Sequence, residues 1–258
     1  MNGIKIKQYF ETHYPIKLAY EWDNVGLQIG TLNKEVTGIL LTLDVTKEVV
    51  QEALDEHCNV IIAHHPLIFK PLKNILTDAY KGQLIETLIK HDITVYVAHT
   101  NYDLGDRGMN TMLADKLALK NQEILEFETE SHGIGRIGEI EPMHLDEAVD
   151  YIKSKLSLTH VRLVNKKSNK RIKRIAISGG SGASHMFSAK FKNADLYLTG
   201  DISYHQAQDM IQMGLSAIDI GHYAEKHFSE ALKQDLLNDG FNVKLYVSQQ
   251  DLDPFTFV

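Results

Sequence analysis

Apolar, β-branched runs alternate with amphipathic stretches along most of the chain. Gly38–Asp44, Val60–Ala63, Thr94–Ala98, Arg174–Ser178, Asp195–Thr199 and Ala217–Ile220 read as buried strands. Between them, Thr46–His57 carries Val49, Val50, Ala53 and Leu54 at helical spacing, and Tyr80–His91 carries Leu84, Ile85, Leu88 and Ile89. Ser203–Met213 and Tyr223–Asn238 repeat the helical pattern. Strands that alternate with helices predict an α/β fold with a largely parallel sheet.

The pattern occurs twice. In each half a strand and a helix lead to a second strand, and a further helix leads to a third. Polar residues fall at the same strand ends: His64-His65 and His99…Asp103 in the first half, Asp201 and His222…Glu225 in the second. This order predicts two similar halves related by duplication. We place the first at residues 1–128 and the second at 129–258, the latter including a short α+β insert over about 130–164. The C-terminal strand is expected to return to the first half.

Composition narrows the function classes. The 258 residues suffice for a buried core, and 43% hydrophobic with 24% charged residues is ordinary for a globular chain. A formal charge of -7 disfavours nucleic acid as a partner. The nearest basic stripe, Lys166–Arg174, reads as a solvated hairpin or loop. The single cysteine, Cys58, excludes an internal disulfide and a cysteine zinc cluster, and it points to the cytoplasm. No signal-peptide segment or membrane span is expected. The 13 histidines are the unusual feature.

Ligands of parallel α/β sheets gather beyond the carboxyl ends of the strands, where this chain concentrates its polar residues. His64 and His65 share a site only if their strand stops there, which Pro66 favours. His222 and Glu225 stand at i and i+3, on one face of a helix. Three imidazoles and two carboxylates suit Zn²⁺, Fe²⁺, Mn²⁺, Co²⁺ or Ni²⁺ better than Ca²⁺. Carboxylates can bridge two ions and single imidazoles cannot, so Asp103 and Glu225 are assigned as bridges. Two such ions, roughly 3.5–4 Å apart, would turn a bridging water into a hydroxide nucleophile. The plain alternative is histidine hydrogen-bonded into the scaffold at each strand end.

Ordered blocks along the whole chain then carry a resemblance. They are Glu21-Trp22-Asp23-Asn24-Val25-Gly26-Leu27-Gln28-Ile29-Gly30, Ala63-His64-His65-Pro66 and Ala98-His99-Thr100-Asn101-Tyr102-Asp103, followed by Gly133–Gly138, Gly179–Gly182, Thr199–His205 and Gly221–Glu225. The chain resembles the Nif-three-like dinuclear-metal family, also known as GTP cyclohydrolase I type 2 homologues. That resemblance implies two three-layer α/β halves with mixed sheets, a metal site between them, two divalent ions per chain and a toroidal homohexamer. By motif position it implies His64, His65, Asp103, His222 and Glu225 as the metal ligands. Some members place the glutamate four residues after the last histidine; here it is three. Many relatives also carry a large insert between the halves, and here only the short one is expected.

Other residues have two readings each. Trp22-Asp23-Asn24 lines the site, with Asp23 or Asn24 orienting a metal-bound histidine, or is a polar turn capped by a buried tryptophan. Gly179–Gly182, with Gly180 and Ser181 central, forms an anion-binding nest or only a tight turn. Arg136 reaches a substrate anion or belongs to a hairpin. His99, Asp201 and His205 are candidates for proton transfer, with structural hydrogen bonding as the alternative. Cys58 is expected to be inert core.

The function expected from this set is metal-dependent hydrolysis of a small molecule through the metal-bridging hydroxide. The resemblance implies a nucleotide, GTP, attacked at C8 of its guanine ring with release of formate. A non-catalytic metal-binding scaffold or a transcription-related interaction protein is the alternative.

Overall fold

The computed structural model describes residues 1–164 and 171–258. Most of the basic run singled out above, Lys166–Lys170, lies outside the described residues. The chain divides into two compact units, residues 1–102 with 226–252, and residues 103–225 with 253–258. The boundary expected at 128/129 falls inside the second unit, in the connection between two paired strands. The sequence places it there because that connection is rich in polar residues and glycine. The crossings actually lie at strand-end motifs, between Tyr102 and Asp103 and between Glu225 and Lys226.

The first unit holds α1 (Ile4–His13), β1 (Gly26–Ile29), β2 (Gly38–Thr42), α2 (Lys47–Asp55), β3 (Val60–Ala63), α3 (Tyr80–Lys90), β4 (Thr94–Val97) and the start of α4 (Thr100–Asp103). The second holds the end of α4, then α5 (Met109–Lys116), β5 (Lys120–Phe127), β6 (Gly133–Met143), α6 (Leu145–Lys155), β7 (Arg162–Val164), β8 (Ile172–Ile177), α7 (Met186–Phe191), β9 (Leu196–Thr199), α8 (Tyr204–Gln212) and β10 (Ser216–Asp219). A 3-10 helix, His222–His227, leads into α9 (Phe228–Asn238) and β11 (Lys244–Val247), which belong to the first unit. Among the described residues no helix is long and apolar enough to cross a membrane.

The first sheet runs β1-β4-β3-β2-β11, parallel except for β1. β2, β3 and β4 are buried at every position, as parallel strands covered on both faces must be. Alternate residues Leu40, Ile61, Val95 and Val97 pack against Val49, Val50 and Ala53 of α2 and Leu84, Ile85 and Leu88 of α3. The opposite face presents Tyr96, on which Phe10 of α1 stacks at 4.7 Å. Thr46 caps α2 by accepting a hydrogen bond from the Val49 N–H.

The second sheet runs β5-β6-β8-β9-β10-β7. β8, β9 and β10 are parallel, and β5, β6 and β7 supply antiparallel pairs. Ala176, Tyr197 and Ala217 face Met186 and Ala189 of α7 and Met210 of α8. α5 lies against β6 and β8.

The two sheets repeat one design. In each unit a strand precedes three parallel strands and then pairs antiparallel with the last of them: β1 with β4, β7 with β10. The spatial orders β1-β4-β3-β2 and β7-β10-β9-β8 therefore correspond. Both α/β units with mixed sheets were legible as a duplicated pattern, whereas β1 and β5 were not expected and β11 was expected only as a C-terminal strand without bounds. β5 alternates Lys120, Gln122 and Glu126 with partly apolar positions, and β11 is only partly buried, so neither shows a continuous apolar run. β11 joins the first sheet beside β2.

One buried carboxylate organises the strand ends of the second unit. Asp219 closes β10, and its Oδ1 accepts from the Gly221 N–H at 2.9 Å. Its Oδ2 accepts from the Ile202 N–H at 3.0 Å and pairs with Arg162 of β7. Asp219 thus fixes the turns after both β9 and β10. We expect Asp219→Ala to lower the unfolding free energy by about 2–4 kcal/mol, because two backbone donors lose a charged acceptor. The check is the urea midpoint. A shift below about 0.5 kcal/mol would mean that other contacts hold these turns.

Candidate metal centre

The first unit gathers three imidazoles at the ends of β3 and β4. The His64 N–H donates to Thr42 O at 3.2 Å and the next N–H, of His65, donates to Leu43 O at 2.9 Å. Consecutive donors toward one neighbour break the alternation of a regular strand, so both side chains can turn toward one region. Their ring centroids lie 5.2 Å apart, tilted by 44°. His99, just after β4, has its ring 5.2 Å from that of His64 and 5.8 Å from that of His65. One ring nitrogen from each of the three lies within 4.8 Å of the others. That is a spacing a bound cation could draw together. His64 is fully buried and packs on Phe228 of α9, centroid to centroid 5.0 Å.

Each of these histidines has its Nδ1 beside an oxygen acceptor. His64 Nδ1 lies 2.8 Å from Ala98 O, His65 Nδ1 2.8 Å from Asp44 Oδ1, and His99 Nδ1 2.9 Å from Asp23 Oδ1. An acceptor at Nδ1 selects the Nδ1–H tautomer and puts the lone pair on Nε2, the form a metal needs.

The second unit builds a matching pair. His222 opens the 3-10 helix after β10, with Glu225 one turn later. A 3-10 helix eclipses residues i and i+3, so the three-residue spacing brings His222 Nε2 to 3.3 Å from Glu225 Oε2. On its other side, His222 Nδ1 lies 2.7 Å from Asp201 Oδ2. A neutral imidazole that donates from Nδ1 would turn its Nε2 lone pair toward a carboxylate oxygen. That arrangement is favourable only with a proton or a cation between the two.

Glu225 is buried and lies in a glycine cradle. A Cβ on Gly180 would stand 2.8 Å from Glu225 Oε1, and one on Gly179 3.2 Å from it. Gly180 also has φ +57°, a conformation open to glycine. The cradle is tied to α5, since the Gly179 N–H donates to Asn110 Oδ1 at 2.9 Å and Asn110 Nδ2 donates to Asp103 O at 3.1 Å. Buried Asn110 therefore positions both Asp103 and the glycine turn. Asp103 itself closes α4.

The remaining expected site residues are scattered. Asp201 acts on His222. His205 is exposed on the first turn of α8, with the Tyr204 ring 5.5 Å away. Arg136 is buried within β6, where its Nη1 donates to Gly135 O at 2.9 Å and Gly133 O at 3.3 Å. Burial lowers its pKa. Ser181 is exposed, while Gly180 faces the Glu225 carboxylate, a neighbour that opposes a phosphate at the same spot. Cys58 is buried, and burial pushes its thiol up to about 11, as inert core requires.

Sequence reasoning missed Asp44, Asn110 and Asp219. Asp44 was visible as the polar end of the first strand, the same signal that marked His64 and Asp201. Asn110 and Asp219 gave no signal, because each acts on backbone groups that only the fold brings near. Asp23 was one of two candidates for orienting a histidine, and it does hold His99. Its neighbour Asn24 instead donates to Ile68 O at 2.5 Å. Trp22 is 59% exposed, so it does not cap the turn from inside.

The family described as Duf34/NIF3 (NGG1p interacting factor 3) matches residues 1–254. The chain is 39% identical to a Streptococcus pneumoniae protein named GTP cyclohydrolase 1 type 2 homolog, with 99% of both chains covered. A Bacillus subtilis protein of the same name is 32% identical over 370 residues, covering 100% of this chain and 99% of the relative. The alignment is longer than this chain, so that relative carries segments with no counterpart here. Among solved structures, a Bacillus cereus protein related to NIF3 superposes with a TM-score of 0.92 at 32% identity, covering 100% of this chain and 99% of that one.

Asp23 yields a pH prediction. Burial alone would raise its carboxyl, but hydrogen bonds from His99 and Thr100 outweigh burial and hold the pKa below the ordinary 3.8. A lowered folded-state value contributes stability that is complete above 3.8 and is lost as pH falls through the folded pKa. Asp23→Asn should therefore be about 1.5–3 kcal/mol less stable than wild type at neutral pH. The two urea midpoints should converge in strong acid. A gap independent of pH would show that the ionised carboxylate is not what matters.

Proposed function

The chain belongs to the Duf34/NIF3 family, and from that membership we propose that it is a hydrolase dependent on two divalent metal ions, with His64, His65, Asp103, His222 and Glu225 as the ligands. The observation that carries this reading is the orientation of the histidines. His64, His65 and His222 each meet an oxygen acceptor at Nδ1 and so offer Nε2 as a donor. Histidines that only braced a scaffold would not need the same nitrogen reserved at each strand end.

The donor set fits a first-row divalent metal: three imidazoles and two carboxylates, with no thiolate. Chain connectivity supports pairing the two carboxylates with the histidines. Asp103 follows His99 by four residues, and Glu225 precedes Phe228, on which His64 packs, by three. When bound, a pair of such ions supplies Lewis acidity and activates a water for attack. The chain's own residues would do the rest. Asp44 and Asp201 hold the His65 and His222 rings in register and raise their basicity. Asp23 holds His99 in the Nδ1–H form, which leaves Nε2 to take or return a proton near the histidine pair.

Several relatives are named GTP cyclohydrolase 1 type 2 homolog, and GTP, with release of formate, is the first substrate to examine. We also propose a toroidal homohexamer, which a measurement of mass in solution would test.

Metal analysis tests the centre directly. Protein purified without added metal or chelator should carry about two first-row ions per chain, and His65→Ala and His222→Ala should each lose at least one. Asp201→Asn should keep the ligands but weaken metal binding roughly 10–100-fold. Chains that stay empty after soaking and desalting would sink the proposal and point to an interaction role.

A further inference from the structure

We infer that Trp22 and Phe69 form a stacking platform for a planar heteroaromatic ring, which places the ring portion of the substrate beside His99. The inference rests on the hydrolase reading only for the word substrate; the platform is argued from the first unit alone.

Trp22 is 59% exposed and Phe69 44% exposed, yet neither is loosely held. The residues flanking Trp22 are locked. Asp23 accepts from His99 Nδ1, the Thr100 N–H and the Thr100 hydroxyl. Asn24 Nδ2 donates to Ile68 O, next to Phe69. Gln28 bonds Ile68 in both directions, accepting from its N–H at 2.8 Å and donating to its O at 3.2 Å. Two rings remote in sequence are thereby fixed 5.8 Å apart with their planes at 62°, which makes an open corner. Tyr20 stacks on the indole at 5.6 Å and 19°, backing it.

An indole left in water forgoes the stabilisation of burial. Here a network of hydrogen bonds holds it in that position, which suits a surface preorganised for a ligand. Its neighbourhood identifies the ligand. The Trp22 ring lies 6.3 Å from that of His99, whose ring nitrogen converges with those of His64 and His65. A molecule on the platform is therefore at the imidazole cluster, so the occupant is a small molecule that reacts there. Two aromatic faces set at an angle offer stacking to a flat π-system, and stacking of this kind tolerates any base.

Trp22 is the chain's one tryptophan, so fluorescence excited selectively at tryptophan, beyond the absorption of the tyrosines, reports this corner. The probes are guanosine, and ribose 5-phosphate as the non-aromatic control. We expect saturable quenching by guanosine and none by ribose 5-phosphate. Phe69→Ala should weaken guanosine binding roughly 5–100-fold. Calorimetry should show Trp22→Phe retaining binding that Trp22→Ala loses. Equal responses to both probes, no saturation, or a signal that follows protein concentration alone, as a chain–chain contact would give, overturns the platform. Metal content measured on the same samples separates the two readings. Metal without guanosine binding sinks the platform and leaves the hydrolase standing, whereas guanosine binding without metal does the reverse.

Discussion

An imidazole offers a defined lone pair only when its other nitrogen is occupied. The candidate centre depends on that constraint more than on the presence of histidines. His64 is oriented by a backbone carbonyl, His65 by Asp44, His99 by Asp23 and His222 by Asp201. In every case the partner sits at or near the end of a different strand from the histidine, or on the segment packed beside it. The tautomer is therefore written by the sheet: if the strands slipped by one residue, each acceptor would move away from its ring. Fold and chemistry are coupled through these bonds, because the register that fills the two cores also sets the four Nδ1 contacts.

The duplicated topology explains why the arrangement comes in two related versions. The loop after the second parallel strand carries His64-His65 in one unit and Asp201 in the other. The loop after the third carries His99 in one, with Asp103 four residues on already in the second unit, and His222 and Glu225 in the other. Equivalent positions have diverged in chemistry while their place beyond the strand ends is kept. The strand ends of the two units therefore offer carboxylates as well as imidazoles.

What the sequence made legible follows from the range of the interactions involved. β2, β3, β4, β8, β9 and β10 were found to within about two residues, since an apolar run bounded by polar ends is a local signal. The helix starting at Tyr223 resolves into a 3-10 turn and α9, because the His222–Glu225 spacing is a three-residue repeat before the four-residue pattern begins. The strand-end residues were legible because parallel topology sends every loop of interest to one edge. Asp219 and Asn110 were not, since each bonds backbone groups separated from it by 17 and 69 residues. Contacts of that range leave no periodicity. Arg136 had two readings, a substrate-anion contact or a hairpin residue, and the fold places it inside β6, flanked on both sides, with its guanidinium donating to neighbouring carbonyls.

Backbone conformation bears on the turn that carries Asp201. It sits at φ +53°, left-handed, where a side chain other than glycine is uncommon and asparagine or aspartate is tolerated best. Gly200, just before it, is crowded by backbone: a Cβ there would stand 2.8 Å from both the Gly180 carbonyl oxygen and the His222 backbone nitrogen. The turn after β9 is thus compressed against the turns after β8 and β10, and the left-handed residue lets the chain leave. Glycine at 201 would relieve the backbone, but it would remove the carboxylate that holds His222. An acid here sets backbone strain against an imidazole bond that glycine could not make.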